Sequence, residues 1–557
     1  RGDYSAAWKK GTKAAHDARK LGDHLAAASA LQVVASSLVA RGWPRRALDA
    51  ALEAVALVSE HSKDELECAS LASSFMKQFL AQRQAKLAAK ISEAILPRLR
   101  QTSSQLCVLQ ALRDVQRTDW QLQAALDASL EVYRLACKEG LVEQQLMTGQ
   151  THAELLLLAD KPREAEDWLL ELHEAIQDQV RRIDTKTVRL LSKAALLAGA
   201  PQRAELRARD AQAVSCKRAD LEEEARAFMA LALAQHASGN TDSAMFSVTE
   251  ARQVFKDAYC AAGDAEAMIV HAYFVFSTGD ASRALDIAAD ARVLASTTAA
   301  DREVEICYLQ ALIQLQMGRL EEARMNIREA QRLAVKAGDV QEQVVGFLML
   351  SQAYILDVVK ESAASDVGRD EDDALSPALR RALHLARDAV PLCKQLGDKA
   401  LLAAALLHEA KVWFTAQRLD YAVASATKAL NAIDSVEGPG RQPVRICQHI
   451  KAHVLLLGAE MQLELGNVTE AQRCMDIAAP CCDVCLPLPE SMRAQFLCGT
   501  RLPGDLLADV SPRALKKRAQ PAAYSSKKGV EKEAMPLKVE KDKALVAEQG
   551  VAVPKPE

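Results

Sequence analysis

The chain has 557 residues, of which 50% are hydrophobic, 4% aromatic and 26% charged, and its formal net charge is −4. This near-neutral balance argues against a dedicated nucleic-acid binder, because such proteins carry a strongly basic surface. No secretory signal opens the chain, and we expect no membrane span because no apolar run approaches the roughly eighteen residues required. The composition favours a soluble helical protein with a core of alanine and leucine.

The most regular feature of the chain is an alanine that recurs about every forty residues. Most of these alanines have a small residue twelve positions before them and another alanine seven positions after them. Their positions are Ala7, Ala47, Ala85, Ala124, Ala165, Ala204, Ala244, Ala284 and Ala323 and, after one longer interval, Ala382, Ala422 and Ala471. A period of this length with several markers indicates an array of stacked structural units.

A turn separates the small residue from the recurring alanine in many units. Glycine marks these turns, at 42–44, 199–201, 239–240, 279–280, 318–319 and 466–467. Because glycine readily ends a helix and small residues let two helices approach closely, each unit predicts a helix, a turn and a second, antiparallel helix. Residues 4–23 read as a helix of the second kind without a partner before it. We therefore expect a segment that precedes Arg1.

Two segments carry a family resemblance most clearly, EARMNIREAQRLAVKAGD at 322–339 and RRALHLARDAVPLCKQLGD at 380–398. They resemble the tetratricopeptide repeat family, whose units place small residues at the same three positions. The longer unit is similar to the extended repeats of kinesin light chains and of the regulatory domain in the bacterial maltose-operon activator. The resemblance implies an all-α fold, a right-handed α-α superhelix of about twelve helical hairpins.

The chain departs from the family at the position where an aromatic side chain is usual. Trp413 fits the pattern, but four other units have a smaller or polar residue there, namely Ala195, Gln235, Gln314 and Gln462.

Repeats occupy residues 1–357 and 378–485, and residues 358–377 form an acidic insertion between them. The insertion accounts for the long interval before Ala382, and it reads either as a solvated loop or as a regulatory or partner-binding loop. We expect a short cysteine-containing C-terminal cap at 486–501. The remaining residues, 502–557, are rich in Lys, Glu and Pro and cannot bury a core, which predicts a disordered tail.

A basic stripe is the first candidate binding site. In tetratricopeptide arrays the first helix of each pair lines the concave surface, and one such helix places Lys186, Arg189 and Lys193 on one face. Arg226 occupies the equivalent of Lys186 in the next unit. A basic groove would attract acidic peptide segments or C-terminal carboxylates. The alternative is a solvated face with acidic neighbours.

Three aromatic residues form the second candidate. Tyr273, Phe276 and Tyr308 lie on first helices further along the chain. They would present an aromatic surface to which a partner helix or chain could dock. Aromatic residues at helical spacing are also typical of ordinary packing.

Most of the cysteines stand singly within helical patterns, which indicates buried thiols and a reducing, cytoplasmic compartment. The exception is a C-terminal cluster in which Cys481, Cys482 and Cys485 are weak candidates for a metal site, the alternatives being a redox-active or an incidental cluster. Cys482 and Cys485 have metal-ligand spacing, but a second pair is missing and no histidine follows His453. We therefore expect neither a metal nor a cofactor.

No catalytic constellation is recognisable, since the chain lacks a nucleophile motif and a glycine-rich phosphate loop. The prediction is a non-catalytic scaffold or adaptor that binds partner proteins along an extended helical-repeat surface, within a larger complex. Two alternatives remain open. One is a structural subunit of a cytoskeletal, ciliary or transport assembly, and the other is the sensor arm of a larger signalling ATPase.

Overall fold

The computed structural model describes residues 4–62, 64–81, 84–118, 121–180, 184–298, 302–364, 375–435, 445–482, 488 and 490–499. Within these ranges the chain forms α-helices, one short 3-10 helix and the turns between them. The described residues fall into two compact units, Arg1–Tyr259 (unit 1) and Cys260–Glu557 (unit 2). The predicted all-α fold is confirmed.

Unit 1 contains the first thirteen helices that the structure describes, with the 3-10 helix Leu96–Arg98 after α5. They are α1 Tyr4–Lys20, α2 His24–Ala40, α3 Pro44–His61, α4 Glu65–Ala81, α5 Ala85–Ile95, α6 Thr102–Thr118, α7 Leu122–Lys138, α8 Val142–Leu158, α9 Pro162–Val180, α10 Thr185–Leu197, α11 Pro201–Arg218, α12 Leu221–Ala237 and α13 Thr241–Asp257.

Unit 2 contains the remaining helices of the described chain. They are α14 Ala261–Ser277, α15 Ala281–Thr298, α16 Glu303–Gln316, α17 Leu320–Ala337, α18 Val340–Ala364, α19 Pro377–Leu396, α20 Lys399–Thr415, α21 Leu419–Asp434, α22 Arg445–Glu464, α23 Val468–Cys482 and α24 Glu490–Cys498.

The helices pair in chain order as hairpins, from α2 with α3 to α22 with α23, and α1 packs against α2. The recurring alanines lie in these contacts: Ala204, Ala244 and Ala284 are all 0% exposed. Ser192 is the small residue twelve positions before Ala204, and its hydroxyl donates a hydrogen bond to the Ala204 carbonyl at 2.7 Å. The small residues therefore mark the points at which two helix backbones approach most closely.

Buried glutamines occupy the position where the family usually has an aromatic side chain. Gln235 on α12 accepts a hydrogen bond from Ser247 on α13 at 2.7 Å. Gln314 on α16 accepts one from Asn326 on α17 at 2.9 Å. The two helices of such a hairpin are thus joined by a polar bridge, in which each buried oxygen has a partner.

The turns follow the predicted chemistry. Gly239, between α12 and α13, has a φ of +80°, a left-handed conformation that glycine adopts without steric strain. Several second helices are followed, after one to three residues, by an aspartate that caps the next first helix. Asp398, for example, accepts a hydrogen bond from the Leu401 amide at the start of α20.

Helix α18 bears on two expectations. It extends to Ala364, so the segment predicted as an insertion from 358 begins inside a helix, and Val358 is buried against Tyr354 and Ile355. The rest of that segment, up to 374, lies outside the described residues. By length and composition alone, α18 is the one described helix that could cross a membrane, with a mean hydropathy of 1.3 over Val340–Glu361. Because 61% of that apolar window is buried within the protein, packing inside unit 2 accounts for the hydropathy.

The first helices of the hairpins in unit 2 form one continuous face. Contacts join α14 to α16, α16 to α18, α18 to α20 and α20 to α22. We call the surface made by these five helices the inner face of unit 2.

Candidate functional site

The inner face of unit 2 carries a helix from the same chain. Helix α24, which lies in the segment 486–501 predicted as a C-terminal cap, contacts α16, α18, α20 and α22. Its apolar side chains explain this placement, since Met492, Ala494, Phe496 and Leu497 are each no more than 6% exposed. A short segment that is apolar on several sides needs a groove rather than a flat end surface to bury them.

The N-terminal part of α24 is held by Tyr273 of α14. The Tyr273 hydroxyl lies 3.0 Å from the hydroxyl of Ser491. It also accepts a hydrogen bond from Gln495 Nε2 at 3.0 Å. Ser491 and Gln495 are one helical turn apart, so a single phenol contacts two successive turns of α24.

The middle of α24 contacts α16 and α18. The Tyr308 ring lies 5.8 Å from the Phe496 ring, and its hydroxyl donates a hydrogen bond to the Glu342 carbonyl at 2.6 Å. Gly346 makes room for this arrangement, because a Cβ atom there would lie 2.8 Å from the Tyr308 hydroxyl. Arg493 forms an ion pair with the Glu342 carboxylate at 2.9 Å.

The C-terminal end of α24 is held by α20. The last carbonyls of a helix lack partners within it, and they carry partial negative charge. His408 Nε2 donates to the Leu497 carbonyl at 2.9 Å, and Lys411 donates to the Cys498 carbonyl. The Gln495 carbonyl is satisfied by the Gly499 amide at 2.8 Å. One histidine and one lysine therefore complete the helix end.

A group of buried histidines lies beneath this helix end. Burial lowers the pKa of His408 to about 3, and the nearby Lys411 adds to the effect. Burial also lowers the pKa of His449 on α22 to about 4 and that of its neighbour His453 well below the ordinary value. The rings of His449 and His453 are 5.0 Å apart. These imidazoles are neutral at physiological pH, and His408 carries its proton on Nε2 to serve as a donor.

The three aromatic residues predicted as a docking surface lie at this site. Tyr273 is 4%, Phe276 7% and Tyr308 0% exposed. Tyr273 and Tyr308 contact α24 directly, and the Phe276 ring lies 6.3 Å from that of Tyr273. A helix does dock on these aromatics in the structure, and it belongs to the chain itself. Docking of a partner remains a prediction.

The predicted basic stripe lies in unit 1, where acidic side chains accompany it. Lys186 pairs with Glu154 at 3.0 Å, and Arg189 lies 3.5 Å from Glu223. Arg226 also pairs with Glu223, at 2.9 Å, while Lys193 is exposed. Much of the positive charge is thus balanced locally, which weakens the attraction for an acidic peptide. Binding at this stripe remains a prediction.

The cysteine candidates are only partly described. Cys481 is buried and donates to Gln448 Oε1 at 2.9 Å, Cys482 is half-buried, and Cys485 lies outside the described residues. Within the part of the chain that the structure describes, no three His, Cys, Asp or Glu side chains are placed to hold a metal ion. The tail from 502 onward is also outside the described residues.

Residue patterns did not reveal the role of α24. The available signal is a short segment, Met492 to Leu497, in which apolar residues alternate with Arg493 and Gln495 after the last repeat alanine and outside the forty-residue period. The partners of this segment, His408, Lys411 and Glu342, read in sequence as isolated helical residues. Only the fold brings them to one face.

No family model and no curated protein matches the chain. The hairpins described above give the chain a tetratricopeptide-like repeat fold. Among solved structures, the kinesin light chain TPR-like repeats of Podosopora anserina share 18% identity over 36% of this chain and 99% of theirs, with a TM-score of 0.31. A STAND ATPase with a tetratricopeptide repeat sensor from Pyrococcus horikoshii shares 12% identity over 82% of this chain and 71% of its own, with a TM-score of 0.41. A Rap protein complexed with competence and sporulation factor shares 10% identity over 74% of this chain and 98% of its own, with a TM-score of 0.38.

Proposed function

We propose that the chain is a non-catalytic protein-interaction scaffold and that the inner face of unit 2 binds a short α-helix of a partner protein. The placement of α24 is the observation that carries this proposal. Successive first helices contact α24 through apolar, charged and hydrogen-bonding side chains. Two of these side chains also donate hydrogen bonds to the last backbone carbonyls of α24. A surface with these groups can hold another helix of similar pattern.

The mechanism is multi-point recognition. Tyr273, Glu342 and His408 lie on three different first helices, so the stacked hairpins fix the spacing between the contacts. A rigid stack loses little conformational freedom on binding, and several modest contacts then add to a specific interaction. No disulfide joins the cysteines that the structure describes, which favours a reducing compartment such as the cytoplasm.

The test uses the full-length chain with α24 displaced by Ala494→Glu. Ala494 is 0% exposed, so a glutamate there is incompatible with the closed groove. A fluorescent peptide of residues 486–501, under reducing conditions, is titrated against this variant by anisotropy. Saturable binding is expected. Ala424→Glu makes the same change at an exposed position of α21 and serves as the matched control, with α24 still in place.

A charge exchange establishes that the peptide occupies the inner face. Adding Glu342→Arg to the opened chain should weaken peptide binding by about tenfold, because Arg493 then meets a like charge. A peptide with Arg493→Glu should recover affinity for that chain. The proposal is wrong if the opened chain is folded, as checked by circular dichroism, and yet does not bind the peptide. It is also wrong if exchanging the charges at Glu342 and Arg493 leaves the affinity for the peptide unchanged.

A further inference from the structure

We infer that α24 is an autoinhibitory segment that keeps the inner face of unit 2 closed, and that the partner which opens it presents a helix of matching chemistry. That helix has an apolar face, a basic residue opposite Glu342 and a C-terminus that reaches His408 and Lys411. The inference rests on the proposed function and adds a competition between a helix of the same chain and a helix of the partner.

The length of α24 makes it dependent on the groove. It has nine residues, fewer than the roughly twelve to fifteen that an isolated helix needs to be even marginally stable in water. Its conformation therefore comes from its contacts with the first helices. A partner that takes over those contacts removes the reason for α24 to remain helical or bound.

The fit of α24 is also incomplete. Among the residues that the structure describes, three buried polar atoms at this interface have no hydrogen-bond partner: Gln495 Oε1, Arg493 Nη2 and His408 Nδ1. A buried polar atom without a partner destabilises the state that contains it. A partner helix can carry other side chains at the positions of Gln495 and Arg493, chosen so that every buried polar atom has a hydrogen-bond partner. Such a helix would bind the inner face more tightly than α24 does at equal length.

The charges of the groove define the partner. Glu342 faces a basic side chain near the middle of the bound helix, whereas Lys411 faces the negative end of the helix dipole. Tyr273 requires polar side chains one turn apart, as Ser491 and Gln495 are. The chemistry thus specifies a short amphipathic helix with one basic residue and a helix end free to meet a cation.

The experiment compares the unmodified full-length chain with the Ala494→Glu chain, using the same fluorescent 486–501 peptide. Tethering gives α24 an effective concentration in the millimolar range, so it should outcompete the free peptide. The unmodified chain is expected to bind the peptide at least tenfold more weakly. Arg493→Glu in the full chain, which breaks the Glu342 pair without placing a charge in the core, should give an intermediate affinity.

Hydrogen exchange supplies a second measurement. Saturating peptide should increase exchange of the α24 amides in the unmodified chain, because displaced α24 loses its helix. Retained protection under saturating peptide would show a permanent structural helix and overturn the inference. Dimers in sedimentation that disappear with Ala494→Glu would assign the bound helix to a second copy, which also overturns it.

The outcomes separate the two proposals. Equal affinity of the unmodified and Ala494→Glu chains for the peptide would refute autoinhibition while leaving the helix-binding face intact. Failure of both the Ala494→Glu and the Arg493→Glu chains to bind, with their helical content preserved, would refute the helix-binding face itself and the inference with it.

Discussion

Single small residues set the distance between helices in this protein. Ala204, Ala244, Ala284 and Ala323 are fully buried at the same position of successive hairpins. Because each of these residues is small, the backbones of the two helices in a hairpin can approach closely. At one repeat the pattern shifts, because Ala125 rather than Ala124 is the fully buried alanine.

Replacing a recurring alanine by a larger residue tests this role. Ala284→Leu inserts three heavy atoms between α14 and α15, and it should destabilise the protein by about 1–3 kcal/mol through overpacking. Ala289→Leu makes the same change at an exposed position of α15, and its effect should stay within about 0.5 kcal/mol. Urea unfolding followed by circular dichroism measures both. Equal destabilisation by the two variants would contradict the steric role of Ala284.

The buried histidines predict a dependence of stability on pH. The folded-state pKa values of His408 and His449 are about 3 and about 4, and that of His453 is also lowered. The unfolded chain takes up these protons near pH 6.5, whereas the folded chain cannot. Stability is therefore fully present above pH 6.5 and falls as the pH drops towards 4, by up to about 1.4 kcal/mol per pH unit for each histidine.

The charged groups around these histidines set the same direction. Lys411 disfavours a second positive charge on His408 and His453, and burial acts on all three rings. Burial lowers the pKa of Lys411 itself, and the Glu460 carboxylate acts against that shift.

A histidine-to-glutamine pair measures this effect. His408→Gln keeps a donor for the Leu497 carbonyl but cannot be protonated, so the loss of stability between pH 7.5 and 5.5 should become shallower. His384→Gln is the control, since His384 is exposed and pairs with Asp388. An unchanged slope in His408→Gln would show that this imidazole is not held neutral by folding.

At the level of elements, the same hairpin serves two purposes. Second helices such as α15 and α17 provide the packed alanines, whereas first helices provide both packing and the surface that contacts α24. Helix α20 illustrates the overlap, because Ala403, Ala404 and Ala410 are buried in the stack while His408 and Lys411 meet the helix end.

Removing the cation at the helix end should loosen α24 selectively. Lys411→Met leaves the Cys498 carbonyl without its donor and removes the favourable interaction with the helix dipole, an effect of roughly 1 kcal/mol. Hydrogen exchange of the α24 amides should accelerate by about fivefold, while α14 and α16 keep their protection. Lys428→Met, at an exposed position of α21, should leave α24 exchange unchanged. Acceleration spread evenly over unit 2 would argue against a specific capping role.

At the scale of the whole molecule, stability accumulates from contacts between neighbouring helices. Within each unit, every hairpin buries its small residues and packs against its neighbours, so the stack needs no central core of large aromatics. This agrees with a chain that is half hydrophobic and only 4% aromatic. The two compact units each contain such a stack.

The sequence by itself determined the all-α repeat architecture, because the period and the small residues are local properties that every hairpin repeats. It also located the aromatics Tyr273 and Tyr308 on first helices. It did not predict the buried bridges of Gln235 and Gln314, since an amide at an aromatic position has no meaning until the facing residue is known.

Only the tertiary structure decided what the inner face of unit 2 contacts. Arg493 and Glu342 are 151 positions apart, and Gln495 and Tyr273 are 222 apart. A forty-residue pattern reports contacts between neighbouring helices and carries no information about a helix that returns across several repeats. The site exists because stacking brings α14, α16, α18, α20 and α22 to one surface, where a short apolar segment can be buried.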